Sequence, residues 1–404
     1  MGVTPGTVAE SKISPAWGWF GAFIGYVFDY YEIALVSIII LPIRIEFNIP
    51  LGLSALIPAI VLLFVAVGGV FFGALGDRVG RRNVLYLTIL TYAIGTLARA
   101  FTFDYAWLAI WTAIAGLGLG GEFGVGQALI SEIAPIGKRG LWSGAFYASS
   151  AIGIILAASA GIFLIPSIGW RLVFVVSGLV SFIPIVVRLW TPESGLWEKK
   201  KEARMGGLVW TRAFMVPFFL CLIIGTLQFF GYYLVNSALP LYLAGSGLTV
   251  TKTSYYIFVI GLGVLTGSLT GAYLSDKIGR RVVGTIGALW FAAFGVLLFT
   301  VGVYIAASPS ILILFFLLSI GTSMAASVLG VLFSEQFTTK VRALGTSSTN
   351  QIARGLSFFP PLVAVAIYPV YGYSTVFIIG AVIAVVEAAS FWTIKEKKGQ
   401  SMDF

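Results

Sequence analysis

Polar residues are sparse along this chain, and where they cluster they punctuate long apolar runs. Windows of about 19 residues pick out apolar spans at 17–41, 54–75, 83–103, 105–130, 142–166 and 170–190. A second set follows at 213–238, 254–275, 282–306, 309–334, 344–368 and 372–394. A helix needs about 20 apolar residues to cross the hydrocarbon core, so this recurrence predicts a polytopic helical membrane protein. The expected fold class is all-α, with twelve transmembrane helices in two pseudo-symmetric six-helix bundles. The long polar stretch WTPESGLWEKKKEARMGG at 190–207 joins the sixth span to the seventh. It divides the chain into an N-terminal bundle over 1–190, a cytoplasmic linker over 191–212 and a C-terminal bundle over 213–404.

Composition agrees. Of 404 residues, 59% are hydrophobic and 10% charged, against about 25% charged in a soluble domain. Lys12 precedes the first apolar run, which continues without a small-residue cleavage site, so no cleavable signal peptide is expected. The net charge of +9 raises the possibility of a nucleic-acid partner, but its distribution argues otherwise. An even number of spans puts both termini on one side. With that side cytoplasmic, all but five of the 25 Lys and Arg fall in cytoplasmic loops, tails or helix ends. Arg44, Arg171 and Lys252 lie outside, and Arg99 and Arg354 lie within spans. This is the positive-inside pattern, and it predicts a multi-pass plasma-membrane protein, a monomer, with the bilayer and a small molecule as its partners. One cysteine, Cys221, and no histidine argue against a disulfide, a metal site or a membrane metalloenzyme. No Walker loop supports ATP drive. No cofactor is expected, apart from the proton as coupling ion.

The two halves repeat each other. GDRVGRR at 76–82 returns as SDKIGRR at 275–281, and SEIAPIGKRG at 131–140 returns loosely as SEQFTTKVRALG at 334–345. Duplication at half the chain length is typical of secondary transporters, whose substrate site lies near the midplane between the halves. The paired D-[RK]-x-G-R-R loops, after spans two and eight, resemble the signature of the major facilitator superfamily. AGLGLGGEFG (115–124) and PESGLW (192–197) are similar to patterns in sugar porters and, equally, in metabolite:proton and organic-acid symporters. FDYYE (28–32) and NQIAR (350–354) favour the organic-acid side. One departure stands out: Thr112 occupies the place where the family's fourth span often carries Arg, so that residue's proton-relay role does not carry over.

The resemblance implies that Asp77 caps the N-terminal end of span eleven when the cytoplasmic side is shut, since the helix dipole is positive there. Arg78 and Arg81 would pair with acids at neighbouring helix ends, Glu132 among them. Asp276, Arg280 and Arg281 would act alike across the other half, with Arg139, Glu335 and Arg342 from the second repeated motif. Simple topological anchoring is the alternative for all of them. Gly116, Gly120 and Gly124, and Gly263, Gly267 and Gly271, recur at i, i+4 and i+8. They predict small-residue faces for close helix packing.

Ionisable groups at mid-depth usually face a cavity or a partner. Asp29 lies about 12 residues, or roughly 18 Å, into span one, and Arg354 sits at a similar height in span eleven. Arg99 and Glu387 lie nearer the ends of their spans and are expected to snorkel or pair locally. Asp29 and Glu32, at i and i+3, share a helix face, and two close carboxylates in low dielectric cannot both ionise comfortably. Asp29, Glu32 and Glu122 are therefore the proton-coupling candidates, although Asp29 could instead form a static pair with Arg354, and Glu122 could brace a gate. The repeat-related positions are Gln228 and Ala151, so each of the Asp29 and Arg354 charges occurs in one half only. Arg354 is a fork-shaped donor suited to a carboxylate, either the cargo's or that of Asp29. Tyr26, Tyr30, Gln127, Gln228, Asn236, Asn350 and Gln351 complete the expected substrate set. The reading is a proton-coupled symporter of a small organic anion. A sugar or polyol porter is the alternative, and a non-transporting sensor is a remote one.

Overall fold

The computed structural model describes residues 15–79, 81–134, 138–185, 211–236, 239, 243, 248–305, 310–338 and 341–398. The linker expected over 191–212 lies outside the described residues, save for its last two. Among the described residues the structure is helical, without strands. The helices are α1 (Pro15–Glu46), α2 (Leu51–Val79), α3 (Arg81–Arg99), α4 (Tyr105–Ile133), α5 (Arg139–Ser159) and α6 (Ile165–Val180). They continue with α7 (Arg212–Asn236), α8 (Val250–Ile278), α9 (Arg280–Ile305), α10 (Ser310–Ser334), α11 (Arg342–Leu356), α12 (Phe359–Tyr371) and α13 (Ser374–Ser390).

Ten described stretches are long and apolar enough to cross a membrane. One of them, Arg139–Ile185, runs for 47 residues, about 70 Å of helix at 1.5 Å per residue and far beyond the roughly 30 Å hydrocarbon core. It contains two crossings, divided by a kink at Gly169 within α6, where φ is 77° and ψ 161°. That backbone geometry is open to glycine and strained for other residues. Adding the shorter apolar helix Val84–Arg99 gives twelve crossings. The eleventh is itself broken. The helical bonding of α11 ends at Leu356, and α12 restarts at Phe359 with Pro360 and Pro361 in its first turn. Proline has no N–H to donate and favours a helix start, so the double proline divides this span where one helix was expected over 344–368.

The glycine stripes do what small residues do between helices. A Cβ on Gly120 would lie 2.0 Å from the Val65 carbonyl oxygen, and one on Gly116 2.9 Å from that of Val61, so α4 packs backbone to backbone on α2. The repeat reproduces this in the other half, where Gly263 and Gly267 bring α8 onto the Phe316 and Ile320 carbonyls of α10. Between the halves the contacts run along α5 with α8 and along α2 with α11. They too use small residues: Gly144 faces Ala272, and Gly355 faces Ala66.

Packing of this closeness leaves no room for a side chain. Gly120→Leu should lower the thermal unfolding midpoint of the purified protein by several degrees, in keeping with overpacking costs of about 1–3 kcal/mol. Gly73→Ala, where a Cβ meets nothing within 4 Å, should leave the midpoint unchanged.

Candidate functional site

Asp29 on α1 and Arg354 on α11 meet across the two halves. Arg354 Nη1 donates to Asp29 Oδ2 at 2.8 Å, and the side chains are 1% and 0% exposed. Arg354 Nε reaches the Tyr233 hydroxyl at 3.4 Å, and its guanidinium carbon lies 4.8 Å from the Tyr30 ring centroid. Each partner of the pair keeps one buried atom without a hydrogen bond, Asp29 Oδ1 and Arg354 Nη2. The break in the eleventh span adds to this arrangement. Arg354 occupies the last turn of α11, so the partial negative charge of a helix C-terminus faces a cation at mid-depth.

Aromatic rings enclose the pair. Tyr26 stacks on Phe146 at 4.8 Å and meets Tyr30 edge-on at 5.1 Å, while Tyr147 lies 6.4 Å from Tyr30. Tyr232 packs edge-on against Tyr233 at 5.0 Å. A cavity of about 50 Å³ begins at Tyr30, Tyr232 and Tyr233 and runs past Ser37, Asn236 and Ile257. It therefore lies on the side of Arg354 away from the D-[RK]-x-G-R-R loops. A smaller void of about 10 Å³ lies among Phe123, Gln127, Ser143, Tyr147, Ser327 and Asn350. Gln127 Nε2 donates to Ser143 Oγ at 2.8 Å there, fitting beside Gly330 where any Cβ would collide with its amide.

The structure separates Asp29 from Glu32. Successive residues advance 100° around a helix, so i and i+3 point about 60° apart. That rotation is enough to give the two carboxylates different neighbours. Glu32 Oε2 takes Arg99 Nη1 at 3.0 Å and the Thr96 hydroxyl at 2.7 Å, all within the first half. Arg99, expected to snorkel or pair locally, takes the second course: it is fully buried in its pair with Glu32, with its guanidinium carbon 5.5 Å from the Phe174 ring centroid. The register explains it: α3 ends at Arg99 and the chain turns through Ala100 and Thr102, so Arg99 faces the bundle rather than lipid. Glu387, expected to snorkel or pair locally, is only 4% exposed and does not snorkel. Glu122 accepts from Thr88 Oγ1 at 2.6 Å.

The polar substrate candidates divide. Tyr26, Tyr30 and Arg354 form the layer just described, and Asn350 and Gln127 line the small void. Asn236 lines the larger cavity and donates to its own helix at Tyr232 O. Gln228 is committed inside the second half, donating to the backbone and hydroxyl oxygens of Thr322 at 3.2 and 2.9 Å. Gln351 donates to the Gly120 carbonyl and joins the halves rather than lining either cavity. Sequence reasoning missed Tyr233, which lies about 140° around α7 from Gln228, and it missed the helix break, which Pro360 and Pro361 signalled.

At the motif end, Asp276 spans the halves. Its carboxylate accepts from Gly140 N at 3.1 Å and Leu141 N at 2.8 Å, capping α5. Arg280 Nη2 holds Asp276 at 3.0 Å and Glu335 at 3.3 Å. Arg139, at the start of α5, acts on Glu335 electrostatically. Arg281 departs from the expected gate. It turns to the C-terminal segment, with its N–H on Glu396 at 3.0 Å and its guanidinium over Trp392 at 4.5 Å. The side chains of Asp77, Arg78, Arg81, Glu132 and Arg342 lie outside the described ones.

A buried pair whose partner is removed leaves a charge stranded, at a cost of about 3–5 kcal/mol. Asp29→Ala and Arg354→Ala should each lower stability by that order. The double variant Asp29→Asn with Arg354→Gln should recover part of the loss, as read from thermal unfolding in detergent. Additive losses would contradict the pairing.

The family model described as Major Facilitator Superfamily matches residues 22–282 and 221–402. The chain is 30% identical over 355 residues to the putative niacin/nicotinamide transporter NiaP of Bacillus subtilis, covering 84% of this chain and 85% of the relative. It is 27% identical over 346 residues to the cis,cis-muconate transport protein of Acinetobacter baylyi, covering 82% and 83%. To the sialic acid transporter NanX of Escherichia coli it is 28% identical over 370 residues, covering 87% of each. Among solved structures, the proton:xylose symporter XylE bound to 6-bromo-6-deoxy-D-glucose superposes with a TM-score of 0.80 at 18% identity, over 96% of this chain and 97% of that one. The fold is shared, and the chain is a multi-pass membrane transporter rather than an enzyme. It belongs to the major facilitator superfamily.

Proposed function

We propose that the protein is a proton-coupled symporter of a small organic anion, and that the cargo's carboxylate takes the place of Asp29 on Arg354. The observation that carries this reading is the buried pair itself. It bridges the halves beside a tyrosine-lined cavity, and Arg354 Nη2 and Asp29 Oδ1 have no hydrogen bond. Arg354 thus has a donor ready for a second carboxylate, in the bidentate geometry that guanidinium favours. Once displaced, Asp29 sits in a low-dielectric site without its counter-charge and takes up a proton. Proton and anion then occupy the site together, with no net charge added. After the halves rock, loss of the proton returns Asp29 to Arg354 and expels the cargo.

Glu122, buried on α4 one residue before the Phe123 ring that Tyr26 touches, is the proposed next proton acceptor towards the motif end. Glu32, held by Arg99, anchors α1 to α3, and the coupling role falls chiefly on Asp29. The motif end is proposed to be cytoplasmic, with both termini on that side, in the plasma membrane and as a monomer. Asp276, Arg280 and Glu335 are proposed to form the gate at that end, with the Asp276 cap on α5 holding it shut. The relatives named for muconate and sialic acid transport support the anion reading, since both are carboxylic acids; the one named for niacin/nicotinamide supports it for niacin, an acid, but not for nicotinamide, a neutral amide. Ser37 and Asn236 at the larger cavity favour a second reading, a sugar or polyol porter in which Arg354 stays paired with Asp29.

Uptake into proteoliposomes under an imposed pH gradient separates the two. Nicotinate or cis,cis-muconate should accumulate and xylose should not. Asp29→Asn should abolish gradient-driven accumulation while sparing exchange. Arg354→Gln should weaken uptake roughly tenfold or more, the effect of losing about 1.4 kcal/mol of binding. Accumulation of xylose without either acid would overturn the anion reading.

A further inference from the structure

The larger cavity beside Arg354 is a slot with charge at one end only. Tyr30 and Tyr233, both in contact with Arg354, wall its inner end. From there it follows one face of α1, because Tyr30 and Ser37 are seven residues apart and point within about 20° of each other. Seven residues rise roughly 10 Å, which sets the length of the slot. Its sides are the aliphatic chains of Ile33, Ile154, Ile257 and Ile260, from α1, α5 and α8. Two polar groups face it at the far end, Ser37 and Asn236. Each already spends a hydrogen on its own helix. The Ser37 hydroxyl donates to Ile33 O at 3.2 Å, and Asn236 Nδ2 donates to Tyr232 O at 2.9 Å. Among the described residues that line the slot, none is charged.

We propose that the slot selects monoanions: it admits a narrow monocarboxylate whose far end is uncharged, and Asn236 is the residue that turns away a second carboxylate. This rests on the anion reading above, in which the cargo's carboxylate takes Arg354. A carboxylate buried without a counter-charge is costly, and amide and hydroxyl dipoles offset only part of that cost. With one carboxylate on Arg354, a dianion as long as the slot would place its second among the isoleucines or against Ser37 and Asn236, where no cation meets it. Such a molecule could enter only with that carboxyl protonated. At pH 7.5 an ordinary carboxyl, with its pKa near 4.3, carries a proton in roughly one molecule per thousand. An uncharged far end meets no such penalty. A hydrocarbon edge packs on the isoleucines, and a hydroxyl or ester finds the remaining lone pairs of Ser37 and the second N–H of Asn236. The charge count agrees: one anion and one proton balance on Arg354 and Asp29, and a second negative charge would be left over.

Calorimetric titration of the purified protein at pH 7.5 tests the selection, with cis,cis-muconate and its monomethyl ester as ligands. The two share one skeleton and differ in the charge at one end. The monoester should bind roughly a hundredfold more tightly or better, the scale on which an unpaired buried charge is penalised. Asn236 is half-buried at the end of α7, so Asn236→Lys places an ammonium at the far end on a stem long enough to reach water. In that variant the preference for the monoester should shrink by roughly tenfold or more. A diacid that binds the wild-type protein as tightly as its monoester would overturn the selection and leave the anion reading standing. An unchanged preference in Asn236→Lys would overturn the part given to Asn236. Should that variant fail to fold, the wild-type comparison decides alone. Should neither muconate ligand nor nicotinate bind, the anion reading itself would fall, and the selection with it.

Discussion

The centre of this bundle is organised by the need to keep two buried charges together. Asp29 and Arg354 lie at mid-depth, where neither can be left alone, and they come from opposite halves of the molecule. Separating them without a substitute would cost about 3–5 kcal/mol. On the proposed reading the halves part when something else satisfies Arg354 and something neutralises Asp29. An anion and a proton meet these demands jointly in that reading, so that coupling follows from electrostatics. In that proposed exchange the C-terminal end of α11 would favour the cation while the carboxylates change places.

The rest of the fold keeps that exchange confined. Glycine-mediated contacts of α4 on α2 and of α8 on α10 make each half a tightly packed body. Glu32 with Arg99 pins α1 to α3 within the first half, which fixes the rotation of α1 and so the direction in which Asp29 points. The contacts between halves use small residues as well, Gly144 against Ala272 and Gly355 against Ala66. Such backbone-close contacts, crossed by few long side chains such as Gln351 and Gln127, suit one body rocking against another. At the motif end, among the described residues, Asp276 ties the start of α5 to the other half through two backbone N–H groups. A tie of this kind can form and break without disturbing either core.

Much of this was legible in the sequence, for physical reasons that can be named. Apolar run length gave the twelve crossings, because the bilayer imposes a length on every span. The repeated motif gave the cap at Asp276, and the positions of Asp29 and Arg354 gave their meeting. Other features depended on angles that a linear pattern does not carry. The sixty-degree offset between Asp29 and Glu32 sent them to different arginines, although both lie on what reads as one face. Arg99 looked superficial by distance along its span, yet the turn after α3 directs it inward. Arg281 is written like Arg280, but the C-terminal segment that claims it lies more than a hundred residues away in sequence. The break at Ser357 was signalled by Pro360 and Pro361, which follow the polar stretch GTSSTNQIARG at 345–355.

The central claim is that anion and proton arrive together because a carboxylate displaces Asp29 from Arg354. It is tested most directly by counting protons when the purified protein binds nicotinate or cis,cis-muconate. Calorimetric titrations in buffers of different ionisation enthalpy report that number. The account predicts net uptake of about one proton per anion bound near neutral pH, and none in Asp29→Asn, as expected when one buried carboxylate loses its only counter-charge. Binding of the anion with no proton uptake in the wild-type protein, or with the same uptake in Asp29→Asn, would contradict it.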